Sequence, residues 1–199
     1  MRTIDDFNFK EKKVLIRVDF NVPLEKGRVT DTTRIKSAVP TILKIIKDGG
    51  ACILMSHLGR PNGFEDQFSL IQIKSELDNI LRIETKFCND CVGPVAEEMS
   101  QKLMMGEVLL LENLRFYSEE TKGDEEFSQK LSRHGDCYVN DAFGTAHRAH
   151  ASTTVVAKYF KNRFFGKLLE KEVLALKKVM SNGASPILAV LGGSKISSK

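Results

Sequence analysis

The chain has 199 residues, of which 42% are hydrophobic, and this suits one well-buried globular domain with a short extension. A formal net charge of +4, from 30 Lys and Arg against 26 Asp and Glu, is too small to predict a nucleic-acid surface or a polybasic membrane surface. No apolar run approaches the roughly 20 residues of a membrane span, and the polar start lacks a signal-peptide core. We therefore expect a cytoplasmic protein.

Short runs of aliphatic and β-branched residues recur along the chain and predict strands. These runs are 14–20, 51–57, 83–88, 107–113, 137–143 and 186–193. Most of them are apolar on both faces, which is typical of strands in a parallel sheet that is covered by helices on both sides. Half-exposed antiparallel hairpins would instead alternate between apolar and polar residues.

Segments with helical spacing lie between the predicted strands. They are 32–48, 93–105, 124–133 and 167–181. Pro40 should kink or split the first helix, and Asp124 can cap the third. Because helices and strands alternate, we predict an α/β fold: a three-layer α/β/α, Rossmann-like domain with a mainly parallel sheet and right-handed crossovers.

The last helical segment is the natural connector to a further domain, because a new strand begins after it. We therefore divide the chain into a domain over 1–165, a hinge helix over 166–182 and the start of a second α/β domain over 183–199. A lone strand cannot bury both of its faces. Either the rest of a second domain is missing from this chain, or residues 183–199 are poorly ordered.

The four cysteines are too few for a disulfide framework, and Cys52 and Cys137 lie in strand-like runs. Cys88 and Cys91 form a C-x-x-C motif, but a structural zinc ion needs four ligands and no second pair accompanies this one. We expect four free thiols and no metal site, with metal or redox use of Cys88 and Cys91 as the weaker alternative.

Polar and cationic residues follow the predicted strands, at the edge where an open parallel sheet binds its ligands. The cations at this edge are Arg34, His57, Arg60, Arg115 and Arg148. A phosphate monoester carries about 1.5 to 2 negative charges and offers acceptor oxygens that suit guanidinium groups, and a carboxylate on the same molecule would occupy a further cation. We predict a small, multiply anionic metabolite as the ligand, whose hydroxyl Asp19 and Asn21 hydrogen-bond.

Other interpretations of these residues are weaker. Nucleic-acid binding by the same arginines predicts interleaved aromatic side chains, and only Phe116 and Phe143 come near. The final GGSKISSK could approach a phosphate, but it lacks the P-loop spacing and an ordinary turn is an equal alternative. We expect His57 to donate a hydrogen bond to the ligand, His147 and His150 to be structural, and His134 to lie on the surface.

Five motifs together resemble the successive signatures of the phosphoglycerate kinase family, in the same order and at similar separations. They are RVDFNVP (17–23), SHLGRP (56–61), EVLLLENLRF (107–116), YVNDAFGTAHRAHAST (138–153) and LGGSKISSK (191–199). The resemblance covers essentially the whole chain and about half of the family's usual length. It implies two Rossmann-like domains joined by a hinge, of which one binds 3-phosphoglycerate and the other a magnesium nucleotide.

The resemblance also implies residue roles. Asp19 and Asn21 match contacts to the hydroxyl and carboxylate region of the substrate. The basic patch and its loop correspond to Arg34, His57, Gly59, Arg60, Arg115 and Arg148. Arg34 is the candidate for stabilising the phosphoryl group during transfer, Lys195 would approach that group from the other domain, and Lys199 matches the lysine on the nucleotide phosphates.

The activity that the resemblance implies is reversible phosphoryl transfer between 1,3-bisphosphoglycerate and ADP, giving 3-phosphoglycerate and ATP in glycolysis. It implies a monomer that uses Mg-ATP or Mg-ADP in the full-length enzyme, with neither bound by this chain alone, and an isolated 199-residue chain without activity. The alternative is a complete chain that binds phosphoglycerate without turnover. The reading frame beyond Lys199 distinguishes the two.

Overall fold

The computed structural model describes residues 2–182 and 188. Its strands are β1 (Lys13–Arg17), β2 (Leu24–Glu25), β3 (Arg28–Val29), β4 (Ala51–Met55), β5 (Lys86–Phe87), β6 (Val108–Leu110), β7 (Cys137–Asn140) and β8 (Arg163–Phe165). Its helices are α1 (Thr33–Lys47), α2 (Ile71–Leu81), α3 (Pro94–Lys102), α4 (Ser118–Lys122), α5 (Glu125–Ser132) and α6 (Lys167–Asn182). Short 3-10 and π-helical turns connect several of them.

Six strands form one parallel sheet in the order β5-β6-β4-β1-β7-β8. Successive residues of a strand point to opposite faces, so Val14 and Ile16 of β1 pack in one core and Leu15 packs in the other. Helices α1 and α2 cover the first core, and α3 and α5 cover the second. The predicted three-layer α/β fold with a mainly parallel sheet is therefore confirmed.

The sequence patterns missed the short strands β2, β3 and β8, whereas the two-residue strand β5 lies within the predicted run 83–88. β2 and β3 form an antiparallel hairpin whose two turn residues, Lys26 and Gly27, both have positive φ, as a tight hairpin turn requires. Two-residue strands have no periodicity to detect, and Lys-Gly is not one of the strong turn signals. The three residues of β8 form one of the two edge strands of the main sheet.

The predicted helices are present, with two differences in detail. Pro40 lies inside the single helix α1, so the helix is not split there. The helix predicted over 93–105 spans Pro94–Lys102, and it buries Ala96 and Ser100 whereas Val95 is 55% exposed. Helix α6 occupies the predicted hinge segment. The predicted strand at 186–193 lies outside the described residues except for Leu188, and the division into domains stays a prediction.

Two carboxylates fix helix starts near the positions that the sequence indicated. Asp31 accepts a hydrogen bond from the backbone N–H of Thr33 at 2.8 Å. Hydrogen bonds from the side chain and then from the backbone of Thr33 lower the pKa of Asp31. Asp124 accepts one from the N–H of Phe127 at 2.8 Å and is the N-cap of α5, as predicted. These bonds satisfy N–H groups that have no partner within the helix.

Replacing Asp124 with alanine is expected to lower the free energy of unfolding by about 1 kcal/mol, because the N–H of Phe127 loses its acceptor. Urea denaturation measures this difference. Glu126→Ala is the matched control: Glu126 lies in the same first turn and pairs on the surface with Lys130. A loss of stability as large in the control would show that the cap contributes nothing specific.

All four cysteines are buried and free, so the predicted free thiols are confirmed. Across residues 2–182, no group of three or more His, Cys, Asp or Glu side chains could hold a metal ion. No helix in this part of the chain combines the length and apolar character that a membrane crossing needs.

The prediction that His134 lies on the surface is wrong. Its side chain is 1% exposed. Nε2 lies 3.0 Å from the carbonyl oxygen of Cys91, and Nδ1 lies 2.9 Å from the Oγ of Ser100. Both ring nitrogens have partners inside the protein, which is what allows a polar ring to be buried.

Candidate anion-binding site

A cavity of about 310 Å³ opens at the carboxyl ends of the central strands. All eight residues that we expected to contact the substrate line it, together with Gly144 and Thr145. The full lining is Asp19, Asn21, Arg34, His57, Gly59, Arg60, Arg115, Gly144, Thr145 and Arg148. These residues come from segments that are far apart in sequence, and the parallel sheet brings their loops to one edge.

Asp19 and Asn21 follow β1 and are held by their neighbours. One carboxylate oxygen of Asp19 accepts from the backbone N–H of Asn21 at 3.2 Å, and the other pairs with Arg34. The side-chain Oδ1 of Asn21 accepts from the backbone N–H of Gly59 at 2.8 Å. Because that contact occupies the amide oxygen, Asn21 offers a ligand its N–H₂ donors.

The loop at Gly59 is fixed by two residues that themselves line the cavity. The N–H of Gly59 donates to Asn21, and its carbonyl oxygen accepts from Nη1 of Arg115 at 2.6 Å. Gly59 has a φ of +64°, and a Cβ atom here would lie 2.3 Å from a ring carbon of Phe68. Both facts favour glycine at this position.

The buried side-chain amide of Asn113 also holds this loop in place. Asn113 is fully buried, donates to the carbonyl oxygen of Leu58 at 2.8 Å and accepts from the N–H of Leu58 at 3.3 Å. Its Oδ1 also accepts from the backbone N–H of Arg115 at 3.0 Å. One side chain thus sets the relative positions of two loops that supply cavity residues.

The cavity has an excess of positive charge. Four arginines line it against the single carboxylate of Asp19. Burial and then the neighbouring Arg148 lower the pKa of Arg115, as expected where cations lie close together. Each guanidinium has five N–H donors, and the pairing of Arg34 with Asp19 and of Arg115 with Gly59 leaves others available to anion oxygens.

His57 is 4% exposed and neutral. Burial, followed by the positive charges of Arg17 and Arg115, lowers its pKa to about 2. The unfolded chain protonates this group near its ordinary value of 6.5, whereas the folded chain does not. Acidification below that value therefore favours unfolding, since the unfolded state binds the additional proton.

The sequence patterns missed three residues of this region. Gly144 and Thr145 lie within the motif at 138–153 but were not singled out, and both line the cavity. Arg17 is 1% exposed and its Nη2 lies 3.0 Å from Nδ1 of His57. A signal for Arg17 existed: it is a charged residue inside the apolar run at 14–20.

The remaining predicted residues lie elsewhere. His147 is exposed, and His150 is half-buried and lines a neighbouring cavity of about 660 Å³ that shares Arg60, Arg115 and Arg148 with the first. Lys195 and Lys199 fall outside the described residues, so their roles stay predictions.

A parallel α/β sheet with a cationic cavity at the carboxyl ends of its strands defines a class of domain that binds small, multiply charged anions. The sequence model of the phosphoglycerate kinase family, described as "Phosphoglycerate kinase", matches residues 4–199. The chain belongs to the phosphoglycerate kinase family.

Individual relatives agree with this assignment. The chain is 47% identical to the phosphoglycerate kinase of Porphyromonas gingivalis, over 99% of this chain and 53% of that protein. It is 50% identical to that of Moorella thermoacetica, over 99% of this chain and 50% of that protein. The crystal structure of phosphoglycerate kinase from Pyrococcus horikoshii superposes with a TM-score of 0.90 at 37% identity, over 98% of this chain and 49% of that one. The chain thus spans about half the length of these relatives.

Proposed function

We propose that this chain binds 3-phosphoglycerate, or the phosphoglycerate part of 1,3-bisphosphoglycerate, in the cavity at the strand ends. The observation that carries the proposal is the convergence of four arginines around about 310 Å³, next to a carboxylate, an amide and a neutral imidazole. A ligand with a phosphate at one end, a carboxylate at the other and a hydroxyl between them matches these groups. The guanidinium groups suit the anionic ends, and Asp19 and Asn21 suit the hydroxyl.

We further propose that a longer protein containing this chain transfers a phosphoryl group reversibly between 1,3-bisphosphoglycerate and ADP. In the direction of ATP use, the attacking group is the carboxylate of 3-phosphoglycerate, which is already ionised at neutral pH. No general base is needed, and His57, with its pKa lowered to about 2, would be unable to hold an abstracted proton at that pH. Catalysis then rests on alignment and on cations near the charge of the transferring group.

Arg34 is the described residue best suited to that electrostatic role. Its side chain is 50% exposed at the edge of the cavity, and its pairing with Asp19 holds it there. Mg-ATP or Mg-ADP would supply or accept the phosphoryl group, with Lys195 and Lys199 as the proposed contacts from this chain. We also propose that residues 1–199 alone bind phosphoglycerate without turning it over, and that the protein is a cytoplasmic monomer.

The direct test is to titrate 3-phosphoglycerate into the purified chain by calorimetry and to follow thermal unfolding. Ligand at about 100 times its Kd should stabilise the folded state by about 2.7 kcal/mol. Arg148→Ala and Arg34→Ala should each weaken affinity at least about tenfold, because a charge-assisted hydrogen bond contributes about 1.5–3 kcal/mol.

Arg133→Ala is the matched control. This arginine pairs with Glu97 on the surface and is not among the residues that line the cavity. Glycerol 3-phosphate, which lacks the carboxylate, should bind more weakly than 3-phosphoglycerate. If ligand protects Arg34→Ala and Arg148→Ala as well as it protects the unaltered chain, the site is assigned to the wrong residues.

A further inference from the structure

Arg17, the last residue of β1, is the largest fully buried side chain of the described residues. Three hydrogen bonds hold its guanidinium. Nε donates to the Oγ of Ser152 at 2.9 Å, Nη1 donates to the carbonyl oxygen of Val18, and Nη2 lies 3.0 Å from Nδ1 of His57. Arg17 does not line the cavity itself, but it touches a residue that does.

The contact with His57 has only one possible direction. A guanidinium has five donors and no acceptor, so Nδ1 of His57 must be the acceptor and carries no proton. The proton of the neutral ring is therefore on Nε2. Since His57 lines the cavity, that N–H is the one hydrogen-bond donor that its ring can offer a ligand.

The positive charge of the Arg17 guanidinium is balanced by the carboxylate of Glu120, on the side away from His57. Oγ of Ser152 donates to Glu120 at 2.6 Å, and the backbone N–H of Ser152 donates to the other carboxylate oxygen at 2.9 Å. Since the single hydroxyl proton of Ser152 goes to Glu120, the lone pairs of that hydroxyl accept from Arg17. Glu120 is 1% exposed, so a buried negative charge balances the buried positive charge through one hydroxyl.

A protonated His57 would not fit this arrangement. An N–H at Nδ1 would point at the guanidinium of Arg17, and the arginines 34, 115 and 148 also oppose a positive charge on the ring. Asp19 is the carboxylate on the same cavity wall, and it is already paired with Arg34. Geometry and charge agree that the ring is neutral.

We propose that Arg17 is a positioning residue that holds His57 neutral with its proton on Nε2, so that His57 donates one directional hydrogen bond to an acceptor oxygen of the ligand. The ligand's identity as phosphoglycerate rests on the proposed function. The state of the ring does not, because it follows from contacts within the protein. This arrangement keeps a hydrogen-bond donor of fixed direction, the Nε2–H of His57, among the arginines. The charge of the His57 ring does not change between about pH 5 and 8.

The test is NMR of the full chain with ¹³C,¹⁵N-labelled histidine, without ligand. The proposal requires the Nε2–H tautomer for His57 and no protonation of its ring down to about pH 5. His134 is an internal control, because its Nε2 lies 3.0 Å from a carbonyl oxygen and must also carry the proton. An Nδ1–H tautomer of His57, or a titration midpoint between about pH 5 and 8, overturns the proposal.

Arg17→Met removes both the donor and the charge at nearly constant length. We expect the Nδ1–H tautomer of His57 to become populated and its titration midpoint to rise, while His134 does not change. The ratio of the 3-phosphoglycerate affinities of the variant and the unaltered chain should then vary with pH, whereas simple structural damage would lower affinity by the same factor at every pH. A constant ratio with an unchanged His57 tautomer contradicts the proposal.

If Arg17→Met does not fold, Ser152→Ala provides the second variant, because it breaks the link to Glu120 and leaves the Arg17–His57 contact in place. Its His57 should keep the Nε2–H tautomer, and loss of that tautomer would show that Arg17 alone does not hold the ring. The tautomer of His57 and the affinity for 3-phosphoglycerate are measured independently. The expected tautomer without phosphoglycerate binding rejects the proposed function only, and binding with the wrong tautomer rejects the role of Arg17 only.

Discussion

Replacing Glu120 with alanine is expected to lower the free energy of unfolding by about 3–5 kcal/mol, the cost of leaving a buried charge without its partner. Both oxygens of Glu120 accept hydrogen bonds from Ser152, and through that hydroxyl the carboxylate balances Arg17. Arg17 and Glu120 are each 1% exposed, so water cannot replace either partner. Urea denaturation, with a check that the cooperativity of unfolding is unchanged, measures the loss.

Glu98→Ala is the matched control for this prediction. Glu98 also accepts from a single neighbouring residue, through the ammonium of Lys102 one turn away, but its side chain is 62% exposed. Its removal should change stability by no more than about 0.5 kcal/mol. The contrast isolates burial as the cause, since the same carboxylate is deleted in both variants.

A double-mutant cycle identifies the source of the Glu120 effect. If the cost arises from the uncompensated charge of Arg17, then Arg17→Met combined with Glu120→Ala should be less destabilising than the sum of the single variants, because the double variant contains neither buried charge. Additive costs would show that the two charges do not depend on each other. In that case Glu120 would stabilise the chain through its own hydrogen bonds with Ser152, independently of Arg17.

Gly59→Ala is expected to destabilise the chain by about 2–5 kcal/mol and to weaken 3-phosphoglycerate binding at least about tenfold. The left-handed backbone at φ +64° is unfavourable for alanine, and the added Cβ would lie 2.3 Å from a ring carbon of Phe68. Any shift that relieves this overlap moves the N–H and the carbonyl oxygen that Asn21 and Arg115 hold. Thermal unfolding and calorimetric titration measure the two effects.

Gly63→Ala separates the two causes. Gly63 has a φ of +88°, but a Cβ atom there would meet no atom within 4 Å. This control therefore has the backbone cost of about 1–2 kcal/mol without the steric overlap, and it should bind ligand like the unaltered chain. If the two variants lose equal stability and both retain affinity, the contact with Phe68 does not restrict residue 59, and the loop position does not depend on it.

The central part of the fold follows from local sequence patterns. Residues of β1 and β4 are apolar on both faces because helices cover both sides of the sheet, and this produces runs that are easy to recognise. The hairpin of β2 and β3 and the edge strand β8 are too short to show such a pattern. Their pairing depends on the position of neighbouring segments, which a local pattern does not record.

The sequence by itself predicted eight of the ten residues that line the cavity, and Gly144 and Thr145 were not among them. In a parallel sheet all strands end at one edge, so polar residues in the loops that follow the strands are expected to meet there, and Asp19, Asn21, His57, Arg115 and Arg148 do so. The motifs also indicated the family. Each of these inferences depends only on the order of residues along single segments and on the shared direction of the strands.

Only the tertiary structure decided the hydrogen-bond partners, the burial and the charge balance of those side chains. Arg17 contacts His57 across 40 positions of sequence and Ser152 across 135, and Ser152 contacts Glu120 across 32. Hydrogen-bond direction, burial and charge compensation arise between such distant partners, and no local pattern encodes them. For the same reason His134 is buried rather than exposed, because its partners Ser100 and Cys91 come from other segments of the chain.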